Sequence, residues 1–370
     1  MLASRLEMRR FAQEGEVRFR ADARYKLENV TKGFAPRLRS SEDDTELLER
    51  ICDAYCAAIQ DQESAPEAYR ATIWWNQVRC TSLAGVIHAL RTRDLHALKI
   101  MYENFFRHPC SAGLIHVPYG MARAYFSGPI KELHARYYLS DTLCHLDTWA
   151  ERTDRVFAID ELGGPEVGNP FGVVIGDTLV GNRAGYHHYC AHRLSGQLGP
   201  ERAVVAEIGG GYGAMAYYLV RSGKNLTYLN FDVPESVALA SYYLAKAFPH
   251  LKFVFYQERA IDASTVQQAN VILMPSFQLA KMPVRSVDVA FSSHAMSDLS
   301  ASAVDQYLGD ITHMTRARFM HVSHEGGANL VAASAERSGL HLTESRQSSW
   351  ELHRRPRPFE TEHLYRVANQ

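Results

Sequence analysis

A glycine-rich loop between two short apolar strands is the feature that most constrains how this chain can fold. The first strand carries Glu207 near its end, and glycines follow at alternate positions, Gly209, Gly211 and Gly213. Glycine lets a strand turn sharply into a helix and lets a ligand lie against bare backbone. A second acid, Asp232, ends the next apolar run, at the spacing where a carboxylate binds ribose hydroxyls. These features predict a parallel α/β unit that binds an adenosine-containing cofactor.

Two cofactor classes use this geometry. Gly209, Gly211 and Ala214 fit the nicotinamide-binding pattern G-x-G-x-x-G/A. Glu207 and the three alternate glycines fit the pattern acid-x-G-x-G-x-G of S-adenosylmethionine methyltransferases. A carboxylate two residues before the first glycine suits the cationic methionine end of S-adenosylmethionine and is unfavourable beside a pyrophosphate. Glu207 therefore favours S-adenosylmethionine as the cofactor.

The rest of the second half alternates short apolar runs with helical patterns. Such alternation predicts a parallel sheet covered by helices on both faces. The last two runs predict a terminal antiparallel hairpin on the sheet edge, an ending that favours a methyltransferase sheet over a nicotinamide-binding domain. After the glycine loop, the apolar runs lie at 226–231, 253–256, 271–274, 287–291, 318–322, 340–343 and 364–367.

Residues 165–325 resemble a family of sugar O-methyltransferases, a branch of the class I methyltransferases. The resemblance implies a Rossmann-like, seven-stranded α/β sheet, S-adenosylmethionine as cofactor, and methylation of a hydroxyl on a sugar or similar polar metabolite, as in secondary metabolism. The family tends to carry Glu where this chain has Asp298. The matching stretches are NPFG at 169–172, EIGGGYG at 207–213, DVPE at 232–235, ASYYL at 240–244 and SSHAMSDL at 292–299, with fainter similarity at 104–106 and 113–114.

The first half of the chain predicts a helical domain. Residues 45–59 are amphipathic, and paired aromatics such as Trp74 and Trp75 indicate a substantial core. A Pro/Gly-rich stretch at 163–172 predicts a boundary, which gives a helical domain over 1–165 and an S-adenosylmethionine-binding domain over 166–370. By resemblance to small-molecule methyltransferases, the helical domain would cap the substrate, exclude water or contribute to an oligomer contact.

The composition favours a cytoplasmic enzyme with a small-molecule acceptor. Its 370 residues are 46% hydrophobic and 22% charged, enough for two domains with real cores. A formal net charge of −1 gives no general attraction to nucleic acid or to an anionic membrane. We find neither a run of about 18 apolar residues nor the apolar region of a signal peptide. A homodimer is a candidate assembly.

His294 is the best-placed candidate for a general base. It follows the run at 287–291, at the carboxyl edge where α/β sheets hold ligands. A histidine can remove the proton from a weakly nucleophilic hydroxyl near pH 7. The segment also resembles the His-x-x-Ser-Asp stretch that carries the base in plant phenolic O-methyltransferases, and Asp298 would orient the imidazole or bind a substrate hydroxyl. The alternative is a histidine at a helix start that is satisfied by backbone.

Two other histidine clusters compete with His294. His324 and Glu325 follow the next strand at the same sheet edge and are candidates for base or acceptor binding. With His321 they form the stretch His321-x-x-His324-Glu325, whose spacing falls short of the His-Glu-x-x-His metal helix, and we predict no metal. The second cluster is His187, His188 and His192, where a three-histidine metal site is conceivable but disfavoured.

The favoured interpretation of that second cluster is a helix packed over the cofactor. Arg183 and Tyr186 would reach the methionine end of the cofactor, and His188 would reach the cofactor or the substrate. At the other end, Ser276 and Phe277 match the adenine-side turn of related methyltransferases. Because the usual acid is missing there, Ser276 would bond the ring edge and Phe277 would stack on it.

Within this reading, Glu207 and the backbone of 209–213 serve the methionyl and ribose side, while Asp232 takes the ribose hydroxyls. Three alternatives remain open. They are N-methylation of a small amine, a nicotinamide-dependent oxidation, and a non-catalytic subunit that binds cofactor without turnover.

Overall fold

The structure, a computed structural model, describes residues 2–38, 43–115, 119–348, 350 and 360–368. As far as residue 172, the described chain forms helices without strands. In chain order, the α-helices of the described residues are α1 (Leu2–Phe19), α2 (Leu27–Gly33), α3 (Thr45–Gln62), α4 (Ile73–Cys80), α5 (Ala84–Thr92), α6 (Leu95–Tyr102), α7 (Tyr119–Phe126), α8 (Glu132–Arg152), α9 (Ala184–Ser195), α10 (Ala214–Arg221), α11 (Pro234–Ala247), α12 (Ala263–Gln268), α13 (Ala301–Met314) and α14 (Glu325–Ala335).

Most strands belong to one central sheet, while the first two form a separate small hairpin. The central sheet has the order β5-β6-β4-β3-β7-β8-β10-β9. The strands are β1 (Val173–Ile175), β2 (Thr178–Val180), β3 (Ala203–Ile208), β4 (Leu226–Asp232), β5 (Phe253–Phe255), β6 (Val271–Pro275), β7 (Val287–Ser293), β8 (Thr315–His324), β9 (Leu340–Ser348) and β10 (Glu360–Val367).

The sheet is a parallel-dominated, Rossmann-like α/β sheet with a terminal antiparallel hairpin, as predicted. Across the sheet, the six neighbouring strands β5, β6, β4, β3, β7 and β8 pair in parallel, and β10 runs antiparallel to both β8 and β9. The interior strands β3 and β4 are buried along almost their whole length, because helices cover both faces of the sheet. This arrangement brings the carboxyl ends of β3, β4, β6 and β7 to one edge.

The predicted count of seven strands is wrong, since the described sheet has eight. That count came from the family resemblance: all eight strands coincide with apolar runs of the sequence, and the run at 253–256 forms the edge strand β5, which pairs with β6 through three residues. Helix α3 of the first half covers this edge: the Arg50 guanidinium lies 4.5 Å from the centre of the Phe255 ring. A short run becomes a stable edge strand when a neighbouring helix covers it, and that cover comes from a distant part of the chain.

The helical half packs directly on the sheet half. Helix α3 contacts α11, and α8 contacts α9. A salt bridge joins Lys246 of α11 to the buried Asp44, with 2.7 Å between the nitrogen and oxygen atoms. The domain boundary near residue 165 stays a prediction. No helix in the described ranges is long and apolar enough to cross a membrane.

Candidate functional site

A cavity of about 1050 Å³ lies at the carboxyl ends of the parallel strands. Both halves of the chain line it, so the helical half forms the wall opposite the sheet. This is the edge at which open α/β sheets bind ligands. From the sheet side the lining includes Glu207, Asp232, Ser276, Ser293, His294 and Asp298, and from the helical half it includes Tyr69, Trp75, Tyr125, Tyr138 and Asp141.

The glycine loop turns sharply out of β3 into α10. Gly209, Gly211 and Gly213 all have left-handed backbone, with φ of +79°, +56° and +92°. A Cβ atom at Gly209 would lie 2.0 Å from the Cβ of Ala295, so a side chain cannot fit there. Gly209 and Gly211 line the cavity, whereas Gly213 packs against Leu244 of α11. The loop therefore offers bare backbone to a ligand at Gly209, Gly210 and Gly211.

Glu207 is a buried acid at the end of β3. The Tyr228 hydroxyl donates a hydrogen bond to its carboxylate. Burial raises the pKa of Glu207 to about 7, and the nearby charge of Asp232 acts in the same direction, whereas the hydrogen bond from Tyr228 opposes the rise. A bound cation would favour the ionised form of such a carboxyl. Glu207 thus responds to a positive charge placed in the cavity.

Asp232 ties the end of β4 to the glycine loop. The Gly211 N–H donates to one carboxylate oxygen at 2.7 Å, and the Val233 N–H donates to the other at 2.6 Å. Burial raises the pKa of Asp232 to about 7 in spite of these two bonds. An ionised carboxylate has about four acceptor positions, so Asp232 keeps acceptor capacity for a ligand hydroxyl.

The two residues predicted for the adenine end separate in the structure. Ser276 follows β6 and lines the cavity. Phe277 is buried but is not part of the lining; its ring packs edge-on against Tyr256, with 5.7 Å between centroids. A stacking role for Phe277 gains no support from this position. The aromatic residue that lines the cavity beside Ser276 is Tyr307 of α13.

Arg183 and Tyr186 lie at the start of α9 and line the cavity. The Arg183 guanidinium lies 5.2 Å from the centre of the Tyr186 ring. The hydroxyls of Tyr186 and Ser293 are hydrogen-bonded at 2.6 Å. Because Ser293 is the last residue of β7, this bond ties α9 to the sheet directly beside His294.

Helix α9 turns His187, rather than His188, toward the cavity. The Trp149 indole N–H donates to Nδ1 of His188 at 3.1 Å, and the His188 ring packs edge-on against Phe157 and Tyr218. Burial lowers the pKa of His188 to about 4, so this ring is neutral near pH 7. The predicted substrate contact of His188 is thus replaced by aromatic packing. Among the residues that the structure describes, no group of three metal-binding side chains is found.

His294 lines the cavity just after β7 and has an unusual backbone. Its φ of +62° lies in the left-handed region, which residues other than glycine seldom adopt. Its N–H donates to the carbonyl of Val322 on β8 at 2.9 Å. The side chain is 35% exposed, and Nε2 lies 3.2 Å from a carboxylate oxygen of Glu360. Surrounding structure thus holds the ring at the cavity wall beside an acid.

Glu360 is a site residue that sequence reasoning missed. It is the buried first residue of β10, and the Ser348 hydroxyl donates to it at 2.8 Å. Burial alone would raise the pKa of Glu360, but His294, Arg183 and Ser348 together lower it to about 2. The antiparallel register places Glu360 opposite His324, at the carboxyl end of β8. Because the predicted last run begins only at residue 364, no signal in the sequence indicated that Glu360 starts a strand at the site.

The remaining predicted site residues are Asp298, His324 and Glu325. Asp298 is exposed at the cavity, and Glu360, rather than Asp298, is the acid beside the His294 ring. His324 caps α14, because its Nδ1 accepts a hydrogen bond from the Gly327 N–H at 3.3 Å. Neither His324 nor the exposed Glu325 is part of the cavity lining. The carboxyl edge of β8 therefore supplies a helix cap.

No protein-family model matches the chain, nor does any curated protein sequence. Solved structures similar to it include magnesium protoporphyrin IX methyltransferase from Synechocystis PCC 6803 with bound SAM (10% identity, 50% of this chain and 78% of that chain, TM-score 0.36). A TehB-like SAM-dependent methyltransferase from Corynebacterium glutamicum shows 14% identity over 62% and 98% of the two chains, with a TM-score of 0.35. A SAM-dependent methyltransferase from Methanosarcina mazei shows 10% identity over 48% and 98%, with a TM-score of 0.37. At this level of similarity, the activities of these proteins do not transfer to this chain.

Proposed function

We propose that the chain is an S-adenosylmethionine-dependent O-methyltransferase that acts on a hydroxyl of a sugar or similar polar small metabolite. One observation carries the proposal: Glu207, Asp232 and His294 line a single cavity together with the bare backbone of the glycine loop. The two acids suit the charged and the hydroxyl-bearing parts of the cofactor, and the histidine suits an acceptor hydroxyl. The sugar class rests on the family resemblance.

The residues around the glycine loop fit S-adenosylmethionine better than a dinucleotide. In the described part of the chain, the groups that influence the pKa of Glu207 are Tyr228 and Asp232, neither of which is a cation. A sulfonium would add the missing positive charge, whereas a pyrophosphate would add negative charge beside two acids. Asp232 would accept hydrogen bonds from the ribose hydroxyls while it holds Gly211 in place.

His294 would act as the general base. When bound, S-adenosylmethionine supplies a methyl group that its sulfonium activates toward nucleophiles. Because Nε2 lies 3.2 Å from the Glu360 carboxylate, that nitrogen would carry the ring proton, and the second ring nitrogen, Nδ1, would be the basic atom that takes the acceptor proton. The ionised Glu360 fixes this tautomer and stabilises the imidazolium that forms. Because His294 is 35% exposed, an acceptor in the cavity can reach it.

The helical half would position the acceptor and exclude water. Asp141 of α8 is buried at the cavity wall, and its carboxylate accepts a hydrogen bond from Asn182 at 2.7 Å. This bond fixes the segment that leads into Arg183 and Tyr186. A rigid wall opposite the base holds the two reacting groups together, which can lower the barrier by several kcal/mol.

N-methylation of a small amine is the second candidate, and the charge of the lining favours it. Carboxylates outnumber guanidinium groups around the cavity, so a cationic acceptor would be held there. An amine must lose its proton before it attacks, which a carboxylate can assist. The acids outside the cofactor end are Asp141, Asp160, Glu166, Asp177 and Asp298, and the arginines are Arg37, Arg70 and Arg183.

Calorimetry tests the cofactor class first. We expect saturable binding of S-adenosylhomocysteine and none of NADH; binding of NADH alone would refute the proposal. Transfer of a tritiated methyl group to separate pools of sugars and of small amines then distinguishes the two acceptor classes. A labelled amine with unlabelled sugars would favour N-methylation.

A further inference from the structure

The order of the strands determines the direction in which a bound cofactor would lie along the sheet edge. His294 follows β7, the glycine loop follows β3 and Asp232 ends β4, and these three strands are neighbours in that order. On the proposed function, the methyl group must face His294 and the ribose must reach Asp232. The adenine ring then continues in the same direction, to the end of the next strand, β6, where Ser276 lines the cavity.

Two tyrosines, one from each half of the chain, meet at that end of the cavity. The rings of Tyr69 and Tyr307 have centroids 4.9 Å apart and planes inclined by 52°. Both are buried and both line the cavity. The Tyr69 hydroxyl donates to Asp310 of α13, and Tyr307 lies beside Ser276. The bond to Asp310 and the contact between the two rings hold Tyr69 in place.

The tyrosine pair forms a wall rather than a slot, because rings in direct contact leave no room for a base between them. We infer that the adenine ring packs against this Tyr69–Tyr307 wall, which makes the helical half part of the nucleotide site. The inference rests on the function proposed above. It supplies an aromatic surface at the position where sequence reasoning expected Phe277 to stack.

A second contact between the halves lies next to the ribose acid. Glu235 is three residues after Asp232, in the first turn of α11, and is buried. The Arg79 guanidinium of α4 donates to it at 3.0 Å, and the Trp75 indole N–H donates at 3.4 Å. The segment that carries Tyr69 and Trp75 is therefore anchored beside the whole adenosine end. Occupation of that end is expected to stabilise the contact between the two halves.

Variants of the tyrosine pair test the inference. We expect Tyr69→Leu and Tyr307→Leu each to weaken binding of S-adenosylhomocysteine about tenfold in calorimetry, since one base–aromatic stack contributes that much. The same factor is expected for 5′-methylthioadenosine, which lacks the amino-acid end. Tyr307→Phe keeps the ring and should lose less than threefold. The control is Ile73→Ala, because Ile73 is 92% exposed and does not line the cavity.

The outcomes separate this inference from the proposed function. If wild-type protein binds neither probe, the proposed function fails and this assignment fails with it. If wild type binds both probes and the two leucine variants bind equally well, only the tyrosine wall is refuted. Should a leucine variant not fold, tyrosine-labelled wild type still decides: nuclear Overhauser contacts from the adenine H2 or H8 proton to the assigned ring protons of Tyr69 or Tyr307 are expected, and contacts to other residues alone, other tyrosines included, would overturn the assignment.

Discussion

The contact between His294 and Glu360 makes the sharpest prediction about catalysis. Glu360→Gln removes a negative charge that lies 3.2 Å from Nε2 while it preserves the shape of the side chain. At about 4 Å and an effective dielectric constant of about 20, two unit charges interact by about 4 kcal/mol. Since a third of the His294 side chain is exposed, solvent screening reduces this to about 2 kcal/mol. Loss of that stabilisation in the transition state lowers kcat about 30-fold.

The assay is steady-state methyl transfer at saturating S-adenosylmethionine, with calorimetry of S-adenosylhomocysteine alongside. We expect kcat to fall while the affinity for the product stays near wild type, because Glu360 does not line the cofactor end. Glu344→Gln is the matched control: Glu344 lies on β9 and pairs with Arg193 and Arg346 instead of His294. It should leave kcat unchanged.

A double-mutant cycle tests whether Glu360 acts through His294. If Glu360 acts through the imidazole, then Glu360→Gln has no further effect once His294 is replaced by alanine. An equal loss in both backgrounds would mean that Glu360 stabilises the hairpin and plays no part in proton transfer. Melting temperatures of all variants distinguish that structural loss from a catalytic one.

Three further predictions concern the same site. His294→Ala should leave the affinity for S-adenosylhomocysteine near wild type and lower turnover about 100-fold or more; an unchanged rate would mean that positioning alone suffices. Asp232→Ala should weaken S-adenosylhomocysteine binding by about 2 kcal/mol through lost charged hydrogen bonds, and unaltered affinity in calorimetry would contradict the ribose assignment. Burial raises the pKa of Glu207 to about 7, above its unfolded value, so its contribution to the stability of the cofactor-free protein is lost as the pH rises toward 8. Between pH 5 and 8, the melting temperature should therefore fall less steeply for Glu207→Gln than for wild type. The affinity of wild type for cationic S-adenosylmethionine should rise over the same range. Equal pH dependence of the two melting temperatures and an affinity that does not change with pH would refute this account of Glu207.

Local sequence determined the centre of the candidate site. The acid of β3, the glycine loop and the acid of β4 lie within 26 residues, 207–232. Each depends only on local structure, because Gly209 needs a left-handed backbone and each acid needs only its place at the end of a strand. The hydrophobic runs likewise determined the parallel sheet and its terminal hairpin. Such features can be predicted because neighbouring residues alone decide them.

Adjacent residues of the same type could not be distinguished in this way. His187 and His188 differ only in which way α9 turns, and that rotation depends on Trp149 and Phe157 of the helical half. His324 was indistinguishable from His294 as a histidine after a strand, yet only the structure shows that it caps α14. The sequence pattern gives the residue type at a sheet edge, whereas packing gives its direction.

Tertiary structure alone decided the partners that come from far along the chain. Glu360 reaches His294 because β10 pairs antiparallel with β8 in one particular register. Tyr69 reaches Tyr307 because the helical half packs over the end of β6. No periodicity in the sequence encodes such contacts, since they depend on the relative placement of whole elements. Local sequence specifies the glycine-rich loop, and the folding of the whole chain specifies what faces that loop.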